Sequence, residues 1–420
     1  MAREIDASPA AAPSAPRARN LRVETLRLTA IAGIAVFHTF QGLFAQAVEA
    51  STGAAALDPQ ALAHAVASGD AARIIAAAPA ALALLGLINL LGTFGNQVFF
   101  AISGRFLIPA MAARAGEPGY WREAYRKTAR RLAAIAVSVA CYAVLALATD
   151  ALVFPLPGIG LDQSAWIVGG LQFVWVYAAL AAAAPVLAWA WRRLGRYRLP
   201  AVAALAVAVY AVNAYIAFVS PGELERGLLE WRKLMSAVSY AVGFVSGAAL
   251  GELASSTGRR AWRRRARWAL ASVALLAVAV EVAAAWCGRA DILQALSFKS
   301  TSVLSFALAL AALAVALDRP GHVGAASPMG RLSVRLAPAI LGFYILQSFT
   351  YSLWRPYADG MLRDACLSAM GAAGTTAGSA AFGIIATLTA GALFSFALLA
   401  ATLAVDLVVR LPLLRALRLK

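Results

Sequence analysis

Ten apolar stretches, each close to the length of a bilayer-spanning helix, recur along this 420-residue chain, and its Lys and Arg residues stand almost wholly between them. A span needs about 20 mostly apolar residues. Such stretches fall at 27–47, 82–111, 132–153, 164–191, 199–219, 234–254, 268–286, 300–317, 336–354 and 382–409. With 62% hydrophobic and 14% charged residues, the chain is too apolar for a water-soluble protein of its length. The expected fold class is an all-α polytopic membrane helix bundle of about ten transmembrane helices. Residues 1–20, rich in Ala, Pro, Ser and Arg, read as a disordered cytoplasmic tail, and 21–420 as one membrane-embedded domain. The first apolar stretch begins only after Arg27 and lacks a small-residue cleavage site, so it is expected to stay in the mature protein.

The formal net charge is +17, which on a soluble chain would suggest nucleic-acid binding. Its distribution argues for membrane topology instead. Of the 37 basic residues, 28 fall on the side that holds both termini, eight on the other, and Arg105 lies within a span. Cytoplasmic loops carry the excess of Lys and Arg, so both termini are expected in the cytoplasm. The run RRAWRRRAR at 259–267 then serves as a topology anchor with some attraction to anionic lipid head groups. Gly92, Gly95 and Asn96 could interrupt the second span, and the uncharged 365–381 segment could be re-entrant or interfacial. Trp121, Trp166, Trp191, Trp231, Trp262 and Trp354 fall near predicted span ends and fit interfacial belts. Tyr142, Tyr177, Asn213 and Tyr240 fall within spans, where helix-to-helix hydrogen bonding is their expected role. Cys141, Cys287 and Cys366 match no zinc or redox spacing, and no metal is expected.

Chemistry concentrates in ETLRLTAIAGIAVFHTF at 24–40. Arg27 and His38 are eleven residues apart, close to three helical turns, which puts both on one face about 16 Å apart along the axis. Glu24 falls on that face one turn before Arg27. Arg27 is thereby expected at the cytoplasmic head-group level and His38 deep in the bilayer, where an ionisable residue is costly and usually functional. A packing His with one hydrogen bond to a neighbouring helix would give the same pattern. His64 and His322 fall in predicted loops and are expected to be solvated bystanders.

The pairing of Arg27, ten intervening residues and His38 resembles the first-span signature of the integral-membrane acyltransferase-3 family. FFAISGRFLIP at 99–109 is similar to that family's FFxxSGxxLxP stretch, and a basic segment, YWREAYRKTARRL, follows it. The resemblance implies an enzyme of the bacterial inner membrane that moves an acyl group, most often acetyl from cytoplasmic acetyl-CoA, to a hydroxyl of a cell-envelope polysaccharide or a lipid-linked acceptor. O-acetylation of this kind needs a base to take the hydroxyl proton, a role that neutral His38 suits. Arg27 and Glu24 complete the expected catalytic face. CoA phosphates suit forked Arg donors, and Arg122, Arg126, Lys127, Arg130 and Arg131 lie in the cytoplasmic segment, with Arg122, Arg126 and Arg130 forming one helical stripe. Ser103 and Arg105 are further donor-side candidates, Arg105 standing where the family often has an aromatic residue and being able to pair with Glu24 or a phosphate.

The sequence departs from the family in two more places. The family's Arg-x-x-Arg appears as Lys127 to Arg130, and its Tyr-x-x-His in the ninth span appears as Tyr344 and Gln347, a residue that can orient a substrate but cannot carry a proton. Tyr344, Gln347 and Glu281 are the acceptor-side candidates, and Glu281 and Asp150 could also orient His38. Thr39 and Gln41 are the only polar neighbours of His38 on its helix, so a direct attack by the acceptor hydroxyl on the thioester is expected rather than an acyl-enzyme. Two other classes fit the same residues: a proton-coupled transporter or flippase lined by Asn96, Gln97 and Gln347, and a non-catalytic relative. A homo-oligomer is compatible with the sequence, and membrane lipids are the surrounding partners.

Overall fold

The computed structural model describes residues 20–51, 64–65, 67–160, 165–219, 228–298, 302–318, 328–373 and 377–419. The expected tail and His322 lie outside the described residues. Among those described no strand occurs. The principal helices are α1 (Leu21–Ser51), α2 (Ala71–Ala76), α3 (Pro79–Ala112), α4 (Tyr120–Leu152), α5 (Gln172–Leu194), α6 (Arg198–Ala214) and α7 (Leu228–Ser256), followed by α8 (Arg259–Trp286), α9 (Val303–Ala316), α10 (Pro328–Leu336), α11 (Ile340–Phe349), α12 (Tyr351–Ala373), α13 (Ala377–Val408) and α14 (Arg410–Ala416). Local signals explain several starts. Asp70 accepts from the Arg73 amide at 3.0 Å to cap α2, Pro79 opens α3 where its missing N–H costs nothing, and Ser302 caps α9.

Eight apolar stretches of this structure are long enough to cross a membrane. One of them, Gln172–Val219, is two helices, α5 and α6, folded back at Gly195, whose φ of +52° a side chain would resist. The shorter apolar α9 spans 14 residues. Every expected span thus has a helical counterpart, and the chain is an all-α, multi-pass bundle.

α3 lies at the centre, packed on α1, α5, α7, α8 and α9. Glycines make this possible. On the α1 side, Gly92 lies under the Phe37 ring and Gly95 against the Ala30 carbonyl and Ile34; on the α7 side, a Cβ at Gly104 would strike the Phe244 carbonyl and one at Gly247 the Ala101 carbonyl. Gly92 and Gly95 therefore do not break the second span, which runs unbroken as α3 because these residues are contact points between backbones. The expected hydrogen bonds between helices form as well: Asn96 Nδ2 donates to the Tyr240 hydroxyl at 3.1 Å and Asn213 Nδ2 to Ser239 Oγ at 2.9 Å.

Segments predicted to be cytoplasmic meet one another at one end. Asp318 accepts from Arg263 at 2.8 Å and pairs with Arg22 at 3.6 Å, and Arg198 reaches Glu252 at 3.2 Å. The tryptophan belt needs correction. Trp191, Trp262 and Trp354 are buried, with the Trp262 and Trp354 indoles donating to the carbonyls of Ala314 and Gln347, so these rings lock helix ends together instead of facing head groups. The side chain of Trp231 lies outside the described residues.

Two further features differ from expectation. The ninth span, expected to run to 354, stops at Phe349, and 351–373, read as its end followed by an external connection whose 365–381 part could be re-entrant or interfacial, form the separate helix α12, which buries Leu362, Cys366 and Met370 against α2 and α13. Charged Arg355, Asp359, Arg363 and Asp364 make this stretch look like loop, but as a helix it presents an apolar stripe to the bundle. The end of the last span also holds a buried ion pair. Arg410 donates to Asp406 at 2.6 and 2.7 Å and to the Pro338 carbonyl at 2.8 Å, while the Tyr142 hydroxyl donates to Asp406 at 2.7 Å. Four chain segments converge there. Removing one partner of such a pair leaves the other charge buried and unpaired, at a cost of about 3–5 kcal/mol. Asp406→Ala is therefore expected to lower stability by about that amount in denaturant titrations of the solubilised protein, and an unchanged midpoint would show that the pair holds nothing together.

Candidate active site

α1 places its polar residues at two depths. His38 is half-buried; its Nδ1 is buried without a hydrogen-bond partner among the described residues. The Gln41 side chain, one turn on, is within hydrogen-bonding reach of the ring. Phe37 packs beside the imidazole at 4.6 Å, and Tyr351, the first residue of α12, meets it edge-on at 5.7 Å between ring centres. The Tyr351 hydroxyl accepts from Arg355 Nη1 at 2.5 Å, and Arg355 Nε reaches Asp359 at 3.4 Å. Residues 351, 355 and 359 are one turn apart each, so a single face of α12 carries all three past α1. Gly42 admits them: a Cβ at this position would sit 2.9 Å from both Arg355 Nη2 and Asp359 Oδ1.

Beyond Gly42 the array opens into a cavity of about 680 Å³ at the end remote from Arg27. Gln46, His64, Asp70, Arg73, Asp359 and Arg363 supply its polar lining. His64 is thus exposed as expected, yet it borders the same cavity as Asp359 instead of standing apart.

At the other end of α1, Arg27 donates to both oxygens of Glu24 at 3.0 Å, as their spacing suggested. The Arg27 guanidinium lies 6.0 Å from the centre of the Phe106 ring, and that of Arg105 lies 5.9 Å from the same ring. With Glu24 engaged by Arg27, Arg105 does not pair with it; its stem instead lies in a slot made by Gly251 of α7, with Nε buried and unpartnered among the described residues. Ser103, two residues earlier on α3, is buried. Arg122, Arg126 and Arg130 are exposed on the first turns of α4, Lys127 is tied to Glu123 at 2.7 Å, and Arg131 is half-buried with Nη1 unpartnered among the described residues.

The acceptor-side candidates are not gathered on His38. Tyr344 is buried in an aromatic cluster, stacked on Phe173 at 4.0 Å and beside Phe99 of the FFAISG stretch at 5.7 Å; Gln347 is buried, its Nε2 unpartnered among the described residues. Glu281 does not reach the outer interface. It is fully buried against Gly86 of α3, neither carboxylate oxygen is hydrogen-bonded among the described residues, and it does not orient His38. Asp150 instead accepts from the Leu156 amide at 2.6 Å, capping the turn after α4. Thr39 receives a hydrogen bond from Ser395 at 2.9 Å and donates to the Ala35 carbonyl, so it is engaged in packing α1 on α13. Sequence reasoning missed Tyr351, Arg355 and Asp359. The available signal was their four-residue spacing, hidden because Tyr351 fell inside the expected ninth span and Arg355 and Asp359 in the external connection after it.

Membrane-length helices closing around a polar array that bears an imidazole define a multi-pass membrane protein with polar groups held inside its bundle. Residues 20–405 match the profile of the acyltransferase-3 family, described as an acyltransferase domain, and the chain belongs to that family. No curated protein and no solved structure matches it. Positioning errors of about 1 Å can cost on the order of 10²-fold in rate. Gly42→Leu, which would force Arg355 and Asp359 off α1, is expected to cut acyl transfer at least tenfold without loss of membrane insertion; full activity in that variant would exclude the α12 face from the site.

Proposed function

We propose that this protein is a bacterial inner-membrane O-acyltransferase that moves an acyl group, acetyl foremost, from cytoplasmic acyl-CoA to a hydroxyl of an envelope glycan or lipid-linked saccharide. The observation that carries the reading is the His38 imidazole: half-buried, with an Nδ1 that has no partner among the described residues, set between a basic cytoplasmic end and a polar outer cavity. A buried nitrogen without a partner is costly unless a ligand completes it. The acceptor hydroxyl is that ligand.

In the reaction His38 takes the hydroxyl proton while the oxygen attacks the thioester carbonyl carbon. A C–O bond forms, the C–S bond breaks, and the proton passes from the imidazolium to the leaving thiolate, giving the ester and free CoA. Because the Tyr351 oxygen already accepts from Arg355, its own O–H is free to donate to the developing oxyanion or to align the acceptor. Glu24 fixes Arg27 at the donor end, and Arg105, Ser103 and the cytoplasmic Arg122, Arg126, Lys127, Arg130 and Arg131 serve the CoA phosphates. Tyr344 and Gln347 shape the interior beside the acceptor path. Both termini are cytoplasmic in this scheme.

Loss of a general base typically costs about 10²–10⁴-fold. His38→Ala is expected to reduce acylation of envelope glycans by that factor, read by mass spectrometry of glycans from cells carrying wild type or a properly inserted variant. Acylation at the wild-type level in the variant would end the proposal.

A further inference from the structure

Next to Arg27 and Phe106, a second cavity of about 540 Å³ opens at the end of the bundle where α3, α5, α6 and α7 meet. Its polar lining is Arg105, Arg192, Arg198, Glu252 and Ser255. Three guanidinium groups face one carboxylate, so two positive charges are uncompensated there.

The three arginines are held in place by the fold. Arg105 runs in the slot at Gly251, where any Cβ would overlap its stem, and its Nε is shielded from water without a partner among the described residues. Arg192 lies on Gly116, with Cζ, Nη1 and Nη2 each 2.6 Å from where a Cβ would stand. Arg198 is clamped by its own contacts: Nε donates to the Trp191 carbonyl at 2.8 Å and Nη1 to Glu252 at 3.2 Å. Two glycines on different segments thus give up side chains to make room for guanidinium groups around one space. Of these donors the Arg105 Nε is the one shielded without a partner among the described residues, Arg192 is exposed, and an anion in the cavity would complete the donors that face it.

We propose that this cavity is a binding site for a phosphate-ester anion, held by forked hydrogen bonds from Arg105, Arg192 and Arg198. The ligand carries about two negative charges and enters from the side of the α5–α6 turn. Two sources present that chemistry, the phosphorylated nucleotide of the acyl donor and an anionic phospholipid head group; the donor assignment rests on the acyl-CoA reading, whereas the site itself does not. The exposed stripe on α4 is not part of this cavity, which gives the donor end a second set of arginines that no motif announced.

The test uses the full chain in nanodiscs and adenosine 3′,5′-bisphosphate as the probe, which has the phosphates but no acyl group. Calorimetric affinity is expected to fall at least tenfold in Arg192→Gln and Arg198→Gln, and also in Gly251→Leu, which fills the slot without changing charge. Arg193→Gln and Arg196→Gln remove the same charge from the adjacent exposed surface and are expected to change affinity less than twofold. His38→Ala is expected to bind the probe as wild type does, so failure of the acyl-transfer reading and failure of this site give different results. In parallel, phosphatidylglycerol retained by the purified protein is measured by native mass spectrometry. Loss of retained lipid in the cavity variants, with no nucleotide binding to wild type, upholds the site with lipid as its source. If the cavity variants match wild type in both measurements, or if the surface controls lose as much as they do, the site does not exist.

Discussion

The rest of the bundle depends on α3 lying backbone against backbone on two neighbours at once. Lipid tails are as apolar as leucine, so helices inside a bilayer gain little by hiding apolar surface, and close contact with well-fitted neighbours must supply the attraction. Gly92 and Gly95 serve the α1 side, Gly104 and Gly247 the α7 side, and in the latter the carbonyls of Phe244 and Ala101 occupy the space a side chain would fill. Carbonyls that close to an opposing backbone also make weak Cα–H contacts. This packing fixes α1 in rotation about its axis. With Phe37 seated over Gly92, the adjacent His38 is directed to the neighbouring face, where α12 passes.

Charge in the interior is treated in three distinct ways. Asp406 and Arg410 neutralise one another with further donors and acceptors at hand, which joins the last span to α4 and to the α10–α11 junction. Glu24, itself buried, pairs with a partly exposed Arg27, and both of its oxygens accept from that guanidinium, which orients Arg27. Glu281 and the Nε of Arg105 have no such compensation among the described residues. The first arrangement holds the fold together. The third is what a protein retains when something other than stability selects the residue.

The sequence made the large scale legible because bilayer thickness and helix rise leave few ways to read twenty apolar residues. It made the Glu24, Arg27 and His38 face legible for the same reason, since residues on one continuous helix have fixed relative positions. Gly104 could be read as a point of close approach from its place beside Ser103 in an apolar run. What could not be read are the relations between distant segments. Arg192 and Arg198 looked like topology charges, and only the fold brings them to Arg105. Arg355 and Asp359 looked like the solvated start of a connection, because the break at Thr350 hides that a new helix begins. Arg410 reads as a cytoplasmic charge; Asp406 four residues earlier is a local sign of the pair, but its burial comes from Tyr142 and Pro338, which are distant in sequence.

That break has a further consequence. α11 ends and α12 begins within two residues, so the phase of the second helix is set by the length of the joint alone. One added residue would rotate everything after it by about 100°, turning the phenol and guanidinium of Tyr351 and Arg355 off the imidazole while leaving each helix intact. Surface connections tolerate insertions and deletions freely. This one cannot drift in length, and it makes the joint at Thr350 a counting device that keeps two helices in step.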